Sequence, residues 1–238
     1  MIENKFKNAS EAFDFYYGTI PHEGIDFSNT KAMFNQGFTI LNPSDRIITN
    51  EARNFNIEYA EAEWQWYLTG SPKAQTLGEI YGKIPKIWQD MTDGNGNVNS
   101  NYGSQWERAY QLDRVVAMLK DNPDTRQAAI SIYDGKEISR YKYDTPCTYA
   151  VQFTVVPYIG ADGSVIDNKL DMCVTMRSND LWFGFCNDQY CFSKLQEMVS
   201  ERTGYDVGTY YHFAHNLHIY YDQLPEKNTL TSRAKQYG

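Results

Sequence analysis

Two alternating stretches joined by a turn do most to limit what this chain can become. After the rigid Pro146, the run from Cys147 through Tyr149, Val151 and Phe153 repeats every second residue, the period of a strand with one buried face. A second alternating stretch ends near Arg177, and Ile159-Gly-Ala-Asp-Gly163 between the two is a turn signal for an antiparallel hairpin. Pairing of these strands puts a thiol near a guanidinium, a group that binds phosphate and draws a thiol's pKa down. A reactive thiol beside a phosphate site suggests an enzyme acting on nucleotides. The plainer alternative is that Cys147 is a small buried hydrophobe, as cysteines in apolar strands usually are. Cys173, Cys186 and Cys191 show no Cys-x-x-Cys spacing, and without a secretory segment the thiols are expected to be reduced.

Around the hairpin, helical and strand patterns alternate. Within residues 50–68, Phe55, Tyr59, Ala62 and Trp66 recur at helical spacing and Gly70 supplies a stop. Glu63 lies beside this apolar stripe, so it either reaches water from the edge or is a partly desolvated acid with a raised pKa. A second helix is predicted over 104–119, ahead of Asn122-Pro123, then a strand over 128–133. A helix over 188–202, stopped by Gly204, and a last strand over 207–215 complete the pattern. Helices interspersed with mainly antiparallel strands imply an α+β fold, a mixed sheet covered by helices. The 238 residues contain no repeat or linker, which predicts one domain over residues 1–238.

The formal charge of −8 disfavours non-specific binding to nucleic acid or an anionic membrane and leaves a small ligand as the expected partner. No apolar run is long enough to span a bilayer, and Met1-Ile-Glu-Asn-Lys5 is not a signal peptide, so the expected compartment is the cytoplasm. His212, His215 and His218 would share one helical face and could hold a metal. Their aromatic and β-branched neighbours favour extended backbone instead, which separates His215 from the other two, and no metal is expected. His218 and Tyr220, same-side neighbours in a strand, suit hydrogen bonding to a sugar hydroxyl.

Several segments resemble, in order, the thymidylate synthase family and most closely its phage deoxycytidylate hydroxymethylase branch. They are Ala62-Glu-Trp-Gln-Trp-Tyr67, Pro85-Lys-Ile-Trp88, Asn97-Val-Asn-Ser-Asn-Tyr-Gly103, Asn122-Pro-Asp-Thr-Arg126, Thr145-Pro-Cys147, Gln152-Phe153, Met176 to Asp188, and His218-Ile-Tyr220. The resemblance implies that the Cys147 thiolate adds to carbon 6 of a pyrimidine nucleotide, and that carbon 5 then takes a one-carbon unit from 5,10-methylenetetrahydrofolate. Glu63 would act through water as general acid and base, and Tyr102 would assist proton removal from carbon 5. Arg177 and Ser178 would hold the phosphate, joined by Arg126 from across a homodimer interface. Gln152, His218 and Tyr220 would orient the nucleotide, and Trp88, Asp180 and Gly184 would line the folate side.

Asp188 stands where thymidylate synthases carry the asparagine that reads uracil. A protonated carboxyl can donate to the unprotonated ring nitrogen of cytosine and accept from its amine, or an ionised one can stabilise a cytosine protonated at that nitrogen as the thiolate adds, so dCMP is the favoured substrate; the competing structural role is a helix cap. The resemblance points to 5-hydroxymethyl-dCMP for phage DNA, made in the host cytoplasm. A cytidylate methylase, a dUMP-using enzyme and a non-catalytic nucleotide- or RNA-binding homologue are the alternatives. The chain also departs from the family pattern. Gln127 follows Arg126 where many relatives have a second arginine, and Asn35-Gln-Gly-Phe38 lacks the N-terminal phosphate-binding arginine. Thr148 replaces the histidine usual after the thymidylate synthase nucleophile. Arg233-Ala-Lys-Gln-Tyr-Gly238 does not resemble the tail that closes over folate, which favours water over hydride as the final reactant.

Overall fold

The two alternating stretches pair as an antiparallel hairpin in the computed structural model, which describes residues 4–141 and 144–225. In chain order the elements are β1 (Asn4–Phe6), α1 (Ala9–Glu23), β2 (Ile25–Phe27), β3 (Thr30–Ile40), α2 (Ile57–Leu68), α3 (Ala74–Tyr81), α4 (Lys86–Met91), α5 (Tyr102–Glu107) and α6 (Gln111–Asp121). There follow β4 (Ala129–Ser131), β5 (Thr148–Ile159), β6 (Val165–Met176), β7 (Asn179–Asp180), α7 (Cys186–Thr203) and β8 (Asp206–Tyr220). The sheet runs β1-β3-β8-β6-β5-β4, with β2 added on β3 and β7 on β8. Strands β3/β8, β4/β5 and β5/β6 pair antiparallel and β1/β3, β6/β8 and β7/β8 parallel, the expected mixed sheet.

The core lies where the inner sheet face meets α7. Val151 and Phe153 of β5, Leu170, Met172 and Val174 of β6, and Tyr210 and Ala214 of β8 are buried together with Phe192, Leu195 and Val199 of α7. Each of the Val, Leu, Met and Phe side chains contributes about 1.5–3 kcal/mol on burial. Helices α1, α2 and α6 contact α7 in turn. The alternation in β5 is broken at its start. A register shift between Thr148 and Ala150 buries Thr148 and turns Tyr149 outward, so Tyr149 does not share a face with Val151 as the simple period predicts.

Element boundaries differ from expectation where side chains override local pattern. The 50–68 helix begins only at Ile57, because the Asn56 side chain accepts from the Tyr59 amide as its cap. The 104–119 helix is broken: α5 and α6 are separated by a turn in which Ala109 and Tyr110 have φ of 55° and 57°. Sheet edge β4 holds that break, since Ser131 donates its amide to Gln111 Oε1 and accepts from Arg108 Nη2 at its carbonyl. The 188–202 helix starts earlier, at Cys186, and follows one π-helical turn, Leu181–Phe185. Strand β4 is shorter than 128–133 because Ile132 and Tyr133 both donate to the Tyr149 carbonyl. Strand β8 runs on to Tyr220, supported by β3 on one edge and β7 on the other. The histidines fall as an extended strand requires, His212 and His218 buried and His215 exposed. Among the described residues no cluster of three or more metal-ligating side chains occurs, and no helix is long and apolar enough to cross a membrane. The 233–238 segment lies outside the described residues.

Candidate active site

The hairpin brings its open ends together. Cys147 precedes β5, Arg177 follows β6, and the Arg177 amide donates to the Cys147 carbonyl at 2.8 Å. The Arg177 guanidinium donates to the carbonyls of Pro146 (3.0 Å) and Thr145 (2.6 Å) and to Cys147 Sγ (3.6 Å). Neutral carbonyls fix the fork without cancelling its charge, which leaves it suited to an anion. The thiol itself is pushed up to about 11 by burial, against the pull of Arg177 and with help from Asp188, Asp144 and Asp180. This corrects the expected lowering: Arg177 acts in that sense, but desolvation and three nearby carboxyls outweigh it.

Asp188 sits in the first turn of α7, yet it is no cap. Asp180 fills that role one turn earlier, accepting from the amides of Trp182 (3.1 Å) and Phe183 (2.9 Å). Asn179 Nδ2 donates to Asp188 Oδ2 at 2.8 Å. Burial, then the charges of Glu63 and Asp180, lift the Asp188 carboxyl well above the carboxylate range, with Asn179 opposing. Gly184 backs this contact: a Cβ there would lie 3.0 Å from Asn179 Nδ2 and 3.4 Å from Asp188 Oδ2. Asp180 also faces His218, its partner in the β7/β8 register. Burial raises the acid and lowers the imidazole, while each opposes the other's shift. Tyr220 packs edge-on against His218 and lies within electrostatic reach of Cys147 and Asp180.

A second wall comes from α2 and α5. Glu63 is 4% exposed. Tyr67 donates its hydroxyl to Glu63 Oε1 at 3.1 Å, Tyr59 flanks the same carboxyl, and Trp88 Nε1 donates to the Tyr59 hydroxyl at 2.8 Å. Glu63 Oε2 is enclosed without a partner among the described residues, and burial pushes the acid up to about 7. The edge-of-helix reading is thereby excluded in favour of the desolvated one. Tyr102 opens α5, stacks on Phe192 and lies beside Thr148, with Asp188 and Cys147 both acting on its hydroxyl. Asp144 ties this wall to the thiol, accepting from the amide and hydroxyl of Ser100, while Asn99 donates to the Asp144 carbonyl.

One cluster therefore gathers Cys147, Arg177, Asp188, Asp180, Gly184, Tyr102, Glu63, His218 and Tyr220, with Trp88 reaching Glu63 through Tyr59 and Ser178 adjoining Arg177. Arg126 and Gln152 are not brought in. Arg126 is exposed on the rim of an open cavity of about 480 Å³ and makes no hydrogen bond or ion pair among the described residues. Gln152 returns its amide to the Phe153 carbonyl and pairs in register with Ala129 and Cys173. Sequence reasoning missed Asn179, Asp144 and Arg53. Arg53 Nε donates to the Trp182 carbonyl at 2.6 Å, with its guanidinium over the rings of Phe55, Trp182 and Phe183. Asn179 lies inside a stretch the sequence had already marked, but only its contact with Asp188 gives it a role.

Comparison with known proteins bears on the family and the fold. A family profile described as thymidylate synthase matches residues 26–237. A deoxycytidylate 5-hydroxymethyltransferase of Enterobacteria phage T4 is 34% identical over 182 residues, 69% of this chain and 68% of that protein. A deoxyuridylate hydroxymethyltransferase of Pseudomonas phage M6 is 28% identical over 230 residues, 92% of this chain and 62% of that protein. Among solved structures, thermostable thymidylate synthase A from Bacillus subtilis superposes with a TM-score of 0.72 at 20% identity, over 94% of this chain and 83% of that one, a likeness of fold.

Proposed function

This chain belongs to the thymidylate synthase family, and from that premise we propose that it transfers a one-carbon unit from 5,10-methylenetetrahydrofolate to carbon 5 of dCMP, giving 5-hydroxymethyl-dCMP. The observation that carries the choice of base is the Asp188 carboxyl, held by Asn179 within electrostatic reach of Cys147 and raised toward its neutral form. A protonated carboxyl donates to the bare ring nitrogen of cytosine and accepts from the exocyclic amine, the reverse of what uracil requires. Arg177, with Ser178 next to it, suits the 5′-phosphate, and His218 with Tyr220 suits the sugar.

In this reading Cys147 gives up its proton as Sγ bonds to carbon 6, and the electron pair of the 5,6 double bond makes carbon 5 a nucleophile. The folate supplies the methylene carbon. Glu63, poised near neutrality, relays protons through water, and Tyr102 stands where a hydroxyl can assist loss of the carbon 5 proton. Elimination of the folate leaves an exocyclic methylene on the nucleotide, to which water adds. Departure of Sγ from carbon 6 restores the ring. The residues suit a flat, anionic co-substrate: Phe183 is 52% exposed beside the Arg53 guanidinium, and Trp88 stands on the Glu63 side.

The Pseudomonas phage relative supports a second reading, the same transfer to dUMP. Mass spectrometry of products from wild type and Cys147→Ala, each given methylenetetrahydrofolate with dCMP, CMP or dUMP, separates these. A Cys147-dependent hydroxymethyl gain on dCMP is expected. A methyl gain would overturn the water step, reaction with dUMP alone would overturn the reading of Asp188, and no product with any nucleotide would favour a non-catalytic binding protein.

A further inference from the structure

The Asp188 carboxyl has two chemically different oxygens. Oδ2 is occupied by the Asn179 amide at 2.8 Å. Oδ1 takes no hydrogen bond among the described residues and is not one of the enclosed unpartnered atoms, so it is the oxygen open to a ligand. Asn179 is buried, at 2% exposure, and its place is fixed from two sides. Its backbone lies in β7, in register with Leu217 of β8, and Gly184 packs against its Nδ2. Asn179 Oδ1 is enclosed with no hydrogen-bond partner among the described residues, so the polar contact that orients the amide is the one it makes to the Asp188 carboxyl.

We infer that Asn179 is the positioning residue that assigns the two oxygens of Asp188, keeping Oδ2 an acceptor and leaving Oδ1 to carry the proton toward the pyrimidine ring nitrogen. An oxygen already accepting from an N–H is the poorer place for a proton, because a hydroxyl there would set donor against donor. A free carboxyl would rotate and share its proton between both oxygens, presenting acceptor and donor alike to the base. With Asn179 in place one orientation is selected, and Gly184 is the residue that leaves space for it: a methyl group at 184 would crowd the contact from the side. The argument rests on the reading that Asp188 meets the base. The pairing of Asn179 with Asp188 stands without any nucleotide.

The test therefore reads the carboxyl first and the substrate second. Asp188 is followed by carbon-13 NMR of the side-chain carboxyl, assigned by loss of its signal in Asp188→Asn, in wild type, Asn179→Ala and Gly184→Ala. Glu63 and Asp180 also face this carboxyl, so Glu63→Gln serves as a control for charge alone. Removing or crowding the donor is expected to raise the Asp188 titration midpoint in both variants, and to lower the ratio of kcat/KM for dCMP over dUMP at least ten-fold. In an Asp188→Ala background the Asn179 substitution should leave that ratio unchanged. A carboxyl titration unaltered in both variants overturns the inference whichever nucleotide the enzyme uses. So does a change in the ratio that persists without Asp188. A raised midpoint in a protein that accepts neither nucleotide upholds the pairing and overturns the assigned reaction instead.

Discussion

Burial lifts the Glu63 carboxyl from its ordinary 4.5 to about 7, and the direction of that shift fixes what its removal must do. Between pH 4.5 and about 7 the unfolded chain gives up this proton before the folded one does, so the folded state loses stability as pH rises through that window. The full shift corresponds to about 3 kcal/mol. Glu63→Gln keeps the shape and cannot ionise, so its stability relative to wild type should climb by about that amount between pH 4.5 and 7 and then level off. Urea unfolding of both proteins at pH 4.5, 6 and 8 measures this; a gap that does not change with pH would show that the carboxyl is not desolvated. Turnover should move the opposite way, falling about 100-fold or more at every pH if Glu63 relays protons. Gain in stability with loss of activity marks a side chain whose placement serves chemistry at the expense of folding. Arg177 is different in kind, because its guanidinium is satisfied by the Thr145 and Pro146 carbonyls whether or not it meets a ligand.

At the scale of elements, the active site depends on α5 starting in one place. Tyr102 is its first residue, and Gly103 lies so close to α2 that a Cβ there would stand 2.0 Å from the Tyr67 carbonyl oxygen and 2.4 Å from the Tyr67 Cα. Backbone cannot yield as a side-chain tip can. Gly103→Ala should therefore cost about 3 kcal/mol or more, and should lower turnover further by moving the Tyr102 hydroxyl away from Thr148 and Cys147. Calorimetric unfolding and kcat of the purified variant test both; unchanged values would mean that α5 can slide along α2. Such contacts also explain what was legible in the sequence. The β5/β6 hairpin, the α2 stripe around Glu63 and the Gly204 stop of α7 follow from period and turn chemistry, which are local. The break between α5 and α6 does not, because Gln111 and Arg108 bond to Ser131 of β4, a strand twenty residues further on. Nor does the direction of the Cys147 shift. A sequence displays the arginine and hides both the burial and the three carboxyls that outweigh it.

At the scale of the molecule, the face of the sheet turned away from α7 carries a contiguous aromatic group. Tyr149, His215 and Phe213 pack edge to face at 6.0 and 4.8 Å, and Gly37 of β3 leaves room for the end of the Tyr211 ring, where a Cβ would lie 3.0 Å from Tyr211 Cζ. Arg126 lies exposed in the loop before β4 without a partner among the described residues, while the Cys147 cluster has Arg177 as its near cation. Our reading is that two copies pair through this face and that Arg126 completes the phosphate site of the neighbour. It follows that Arg126→Ala alone should lower activity about 10- to 100-fold, the effect of losing a charge-assisted contact. The stronger consequence concerns mixtures. In a dimer of one Arg126→Ala chain and one Cys147→Ala chain, one site takes its thiol from the first and its arginine from the second, so it is complete, and the other site lacks both. Half of the dimers in an equal, re-equilibrated mixture are of this kind, so about a quarter of wild-type activity should return from two nearly inactive proteins. If Arg126 instead serves its own chain, or the protein is a monomer, each site keeps the defect of its own subunit and mixing restores nothing.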